Sequence, residues 1–168
     1  MTNRSEDEPA ELSSPACSMS EADDTYMGYA GRAELVGFLN ELLEAERAGA
    51  RVTLKSAREA GAGPVAKLLW TIQRDEARWC AMLIRHIKTL GETPSAKVGA
   101  FYNKAMAIAD LGERVAFLNR GQGWVVRKLR EMLPRVRDDR LHADLAEMLQ
   151  SHEANIARTN DAVRADAS

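Results

Sequence analysis

The sequence predicts an all-α bundle of four long helices, and three observations carry that prediction. Apolar residues recur at helical spacing through four long stretches. Glycine, proline and capping aspartates separate those stretches. Four polar residues interrupt the apolar stripes at matching levels: Glu46 and Glu76 lie thirty residues apart, and so do Gln122 and His152.

Residues 1–30 carry seven acids (Glu6, Asp7, Glu8, Glu11, Glu21, Asp23 and Asp24) against one base, Arg4, and almost nothing to bury. Such a segment cannot offset its ordering entropy and reads as a disordered acidic tail, with Cys17 incidental in it. The bundle domain is expected over residues 31–165. Its first stripe runs Leu35, Phe38, Leu39, Leu42, Leu43, Glu46, Gly49, Thr53 and Ala57, a helix from about Arg32 to Ala60. Gly61 and Gly63 break it, and Pro64 suits the first turn of the next helix. That second stripe is Val65, Leu69, Ile72, Glu76, Trp79, Leu83, His86 and Leu90, ended by Gly91 and Pro94. So short a connection makes the two helices antiparallel neighbours.

Residues 91–109 read as a crossover with a short helical stretch around Val98, Phe101, Ala105 and Ile108. Asp110 and Glu113 form a capping-box pattern ahead of Val115, Leu118, Gln122, Val125, Leu129 and Leu133, the third long helix, which runs to Pro134. Asp138 or Asp139 caps the fourth, with Leu141, Leu145, Met148, Leu149, His152, Ile156, Thr159 and Val163 on its stripe.

The composition narrows the function classes. With 23 Lys and Arg against 25 Asp and Glu, a net charge of −2 supplies no field to recruit nucleic acid or an anionic membrane. The basic residues Arg127, Lys128, Arg130, Arg135, Arg137 and Arg140 cluster at a helix C-terminus, where they complement the dipole and read as a solvated end. No apolar run approaches the ~20 residues of a membrane span, and no secretory leader is legible. Two isolated cysteines make no disulfide framework, so a reducing, cytoplasmic compartment is expected. A homodimer through an apolar helix face is compatible with the pattern.

A shift of 76 residues lays the second half of the chain over the first: Leu39 falls on Val115, Leu42 on Leu118, Glu46 on Gln122, Ile72 on Met148 and Glu76 on His152. A polar group on a core face needs a partner. Four of them at one level are partners for one another or for a shared metal ion.

Two helical hairpins joined by a long crossover, with Leu-Leu-Glu-Ala-Glu46-Arg-Ala on the first helix and Arg-Asp-Glu76-Ala-Arg-Trp79 on the second, resemble the ferritin-like bundles. The resemblance spans about residues 32–164. It implies a metal pocket in which the first and third helices each give a Glu, and the second and fourth each give a Glu-x-x-His. This chain keeps Glu46 and Glu76. Trp79 stands where the second helix has its His, Gln122 where the third has its Glu, His152 at the fourth helix's Glu position and Asn155 at its His position. One iron or manganese ion on Glu46, Glu76 and His152, with Gln122 and Asn155 orienting ligands and Trp79 closing one side, is then the expectation, with a redox or oxygen-linked role. His152 would also tolerate zinc. The alternative is a metal-free bundle whose polar residues satisfy one another and which serves as a structural or interaction module.

The remaining titratable residues have plainer readings. Glu113 belongs to its cap, Glu153 to a solvated face, His86 to a satisfied pair near the bundle end, and His142 to the surface. Cys80, one turn past Glu76, reads as a small buried residue or, beside a metal, as a reactive thiolate.

Overall fold

Gly61 and Gly63 adopt φ of +68° and +119°, a backbone that side chains disfavour, and between them they reverse the chain over a three-residue loop. The computed structural model describes residues 24–166. The helices in order are α1 (Arg32–Ala60), α2 (Pro64–Thr89), α3 (Phe101–Met106), α4 (Leu111–Met132) and α5 (Asp139–Asp166), with a 3₁₀ turn at Leu133–Arg135. Pro64 opens α2 as expected. Asp110 caps α4 by accepting from the Glu113 N–H at 2.8 Å, and Asp138 caps α5 by accepting from the Leu141 N–H at 2.6 Å. No strand occurs among the described residues, and no helix there is long and apolar enough to cross a membrane.

α1 packs along α2, and α4 along α5, so two antiparallel hairpins form the bundle. The crossover connecting them is pinned to α1 by a set of polar contacts. Arg47 Nη1 donates to the carbonyls of Ser95 (2.9 Å) and Lys97 (2.5 Å), the Ser95 N–H donates to Asn40 Oδ1 (2.7 Å), and the Gly99 N–H donates to the Glu44 carbonyl (3.1 Å). α3 then lies against α4, where Phe101 stacks on Phe117 with centroids 4.8 Å apart. Gly121 makes that possible, because a Cβ there would come within 2.8 Å of the Phe101 ring.

Residues 1–23, including Cys17 and most of the acidic tail, lie outside the described residues. Residues 24–30, which the sequence assigns to that tail, run against the bundle end. The Ala30 N–H donates to the Arg135 carbonyl at 2.8 Å, and Arg137 pairs with Asp24. The basic helix end is neutralised locally, with Lys128 on Glu41, Arg130 on Glu153 and Arg135 on Glu34.

Two apolar cores fill the bundle. The larger contains Leu39, Leu42, Leu43, Trp79, Leu83, Leu129, Leu145 and Met148, and the smaller Val52, Leu69, Ile72, Val115 and Leu118. Following each helix from one core to the other crosses Glu46 on α1, Glu76 on α2 and Gln122 on α4. A polar layer therefore divides the interior.

Candidate functional site

Glu46, Glu76, Gln122 and His152 are all buried, and the structure brings them into one connected array. Its order can be read by counting protons. The Gln122 amide nitrogen donates to Glu76 Oε1 at 2.8 Å, while Gln122 Oε1 bonds to Nδ1 of His152. A side-chain amide oxygen only accepts, so His152 carries a proton on Nδ1.

At the other end, the Thr53 hydroxyl lies 3.0 Å from Glu76 Oε2 and 2.9 Å from the carbonyl of Gly49. A hydroxyl has one proton to give. Thr53 therefore shares that proton between the Gly49 carbonyl and Glu76 Oε2. Burial pushes the Glu76 carboxyl well above its usual range, and the charge of Glu46 pushes the same way; the bonds from Thr53 and Gln122 oppose the shift without overcoming it. Glu76 thus accepts from Gln122 on one oxygen and from Thr53 on the other.

The start of this array is open. His152 Nε2 stands 3.2 Å from Glu46 Oε1, near enough for an ion pair but without hydrogen-bond alignment. Both His152 Nε2 and Glu46 Oε2 are buried with no hydrogen-bond partner. Two ligand atoms on one ion with bonds of about 2.0–2.2 Å stand roughly 3.0–3.4 Å apart, so the separation suits a shared cation. The Nδ1–H bond to Gln122 is also the kind of outer contact that orients a metal-ligating imidazole. A third ligand is less ready: both oxygens of Glu76 are engaged, and among the described residues no three His, Cys, Asp or Glu side chains gather as a metal set.

Gly49 and Thr53 belong to this site although sequence reasoning left them on the apolar stripe. A Cβ on Gly49 would come within 2.8 Å of Glu76 Cδ, so the carboxyl fits only against a glycine. The signal lay in their spacing, three and seven residues past Glu46 on one face of α1. Asn155, expected to orient ligands, is instead engaged elsewhere: its amide donates to Asp75 Oδ2 at 3.1 Å and its oxygen accepts from Arg158 at 3.2 Å. The reason is its partner on α2, since Asp75 sits one step around the helix from Glu76. Trp79 is buried in the larger core.

Cys80 is held as a thiol. Burial pushes its pKa up to about 12, with Glu46 and Glu76 adding to the effect and Arg47 opposing it, in keeping with a small packed residue. His86 bonds to Asp144 Oδ2 at 2.6 Å, Glu113 stays at the α4 cap, and His142 is exposed.

A cavity of about 410 Å³ opens between α1, the crossover and α4. Glu46, Glu76 and Gln122 line it together with Phe101, Phe117 and Trp124, so the polar layer has a way in from outside.

Residues 33–162 match the family described as a domain of unknown function, DUF6306. The chain belongs to this family. Among solved structures, the DUF6306 chain is similar to a ferritin-like, diiron-carboxylate protein from Bacillus anthracis str. Ames. The two are 18% identical with a TM-score of 0.56, over 79% of this chain and 92% of that one. Likeness at this identity establishes the fold, which is ferritin-like. No match was found among curated proteins.

Proposed function

We propose that this ferritin-like chain binds a single first-row metal ion, iron or manganese, between Glu46 and His152, and works in a cytoplasmic setting. The observation that carries the reading is the buried pair itself: His152 Nε2 stands 3.2 Å from Glu46 Oε1, and neither that nitrogen nor Glu46 Oε2 has a hydrogen-bond partner. An imidazole nitrogen and a carboxylate suit such ions. Gln122 orients His152, and Glu76, which Gln122 also contacts, is the carboxyl able to join as a third ligand. With iron or manganese bound, the site would carry a one-electron couple suited to dioxygen or peroxide. The solved diiron-carboxylate neighbour lends analogy to the choice of metal.

A second reading has its own observation. Gln122 donates to Glu76 and bonds to His152, and Thr53 donates to Glu76, so these polar groups go far toward satisfying one another without a metal. The bundle would then be a structural or interaction module.

Metal content separates the two. Protein purified without chelator or histidine tag is loaded anaerobically with Fe(II) or Mn(II), desalted and analysed by mass spectrometry. The metal reading expects stoichiometric retention, abolished in a Glu46→Gln, His152→Leu double variant that remains helical. Failure to retain either metal selects the metal-free reading.

A further inference from the structure

We propose that Gly49, Thr53 and Gln122 form a niche that holds the Glu76 carboxyl back from the Glu46–His152 pair, with Thr53 the positioning residue that sets how tightly the pair holds a divalent ion. This rests on the metal reading and adds a control to it. Glu46, Glu76 and His152 are all buried in one polar layer, yet among the described residues no three His, Cys, Asp or Glu side chains gather as a metal set. The third ligand is present but withheld.

Three residues withhold it. The Thr53 hydroxyl bonds to Glu76 Oε2 at 3.0 Å, and the Gln122 amide nitrogen donates to Glu76 Oε1 at 2.8 Å. Gly49 supplies the space, since a Cβ there would come within 2.8 Å of Glu76 Cδ. A carboxylate has lone pairs for more partners than these two, so the bonds do not exhaust it; they fix where it lies. Thr53 is itself fixed, because a β-branched residue has few χ1 choices on a helix and its hydroxyl also reaches the Gly49 carbonyl at 2.9 Å.

The carboxyl nevertheless has somewhere to go. Glu46, Gly49, Glu76 and Gln122 all line the cavity between α1, the crossover and α4, so a carboxyl leaving the niche has free volume to move through. Gln122 ties the niche to the pair, its nitrogen on Glu76 and its oxygen on His152, so substituting it would disturb both at once. Among the polar side chains of the site, Thr53 is bonded to Glu76 alone. Valine keeps the shape of Thr53 and removes the donor, which frees the carboxyl and leaves it short of a partner that a cation can supply.

The test is Mn(II) binding to chelator-treated, full-length protein, followed by the EPR signal of the free ion. Thr53→Val should tighten Mn(II) binding about tenfold, the usual worth of a hydrogen bond to a charged group, while Thr53→Ser, which keeps the hydroxyl, binds as wild type does. In a Glu76→Gln background the gain should disappear. Urea unfolding of metal-free Thr53→Val should show lower stability at the same time; a role confined to stability would lower it without tightening the ion. If the valine variant misfolds, Gly49→Ala, whose Cβ takes the place of the carboxyl, carries the same expectation. Unchanged or weaker binding in the folded variant, a gain shared by Thr53→Ser, or a gain that survives Glu76→Gln overturns the proposal and leaves the metal reading standing. Absence of Mn(II) binding in wild type and every variant overturns both.

Discussion

His86 and His152 sit on facing helices of one bundle, on α2 and α5, and both are buried, yet they are built for different ends. His86 lies near the end of the larger core, where Asp144 reaches it at 2.6 Å and solvent reaches Asp144, which is 26% exposed. Its environment is finished. His152 lies in the layer between the two cores, 1% exposed, with one ring nitrogen held by Gln122 and the other facing a carboxyl without a hydrogen bond. A histidine that only stabilises a fold has its polar atoms satisfied at low cost near water. One left open in the interior is the feature on which the proposed metal site rests.

The largest effect should come from removing each histidine in chelator-treated protein. His152→Ala leaves the Gln122 oxygen unpaired and strands Glu46 in the interior, a loss of about 3–5 kcal/mol. His86→Ala frees a carboxylate that water can reach and should cost about 1–2 kcal/mol. Urea unfolding of both variants measures the gap. Equal losses would mean that the two histidines do the same structural work.

Next in size is Glu76→Gln. The folded protein holds this carboxyl well above its usual range because of burial and the Glu46 charge. In the unfolded chain the group ionises near ~4.3. Stability from a raised carboxyl is fully present below that value and is lost as pH rises toward the folded value. An amide removes the loss and preserves the geometry, accepting from Gln122 and donating to Thr53. The variant should match wild type near pH 4 and exceed it by about 1.4 kcal/mol per pH unit above ~4.3, until the folded value is reached. If the protein holds its metal through the Glu76 carboxylate, the loaded protein reverses this order, so denaturation with and without metal sharpens the comparison.

The helices and their ends were legible because each rests on local chemistry: stripes of Leu, Gly61 and Gly63 at the first turn, Pro64 at a helix start, Asp110 and Asp138 as caps. The four polar interruptions were legible because the core makes polarity expensive. What the stripe could not reveal was which neighbour each group would find. Gly49 shares a face with Glu46, but only the packing of α2 shows that the Glu76 carboxyl occupies the space a side chain would fill. Asn155 follows the ferritin-like spacing and still turns to Asp75, because a carboxylate on the next position of α2 competes for its amide. The cavity was hidden for a related reason. It depends on where the crossover lies, and that is set by Arg47 and Asn40, two polar residues off the apolar stripe.

The smallest effect belongs to the finished histidine and carries the opposite sign to Glu76→Gln. Burial pushes the Asp144 carboxyl up, but hydrogen bonds from His86 and Arg85, with their charges, outweigh it and hold the group below its usual range. Stability from a depressed carboxyl is present above the unfolded value of ~3.9 and is lost as pH falls through the folded value. Asp144→Asn should therefore cost stability at pH 6, by only about 0.5–1 kcal/mol since the pair is partly solvated, and the difference should vanish near pH 3. Two carboxyl-to-amide changes on facing helices would thus move stability in opposite directions at neutral pH. That opposition follows from what each carboxyl faces: Asp144 meets two donors and water, whereas Glu76 meets another carboxylate in the dark of the polar layer. Urea titrations of both variants at pH 3 and pH 6 would test it, and a gain in stability for Asp144→Asn at pH 6 would show that burial, not the His86 bond, governs that end of the bundle.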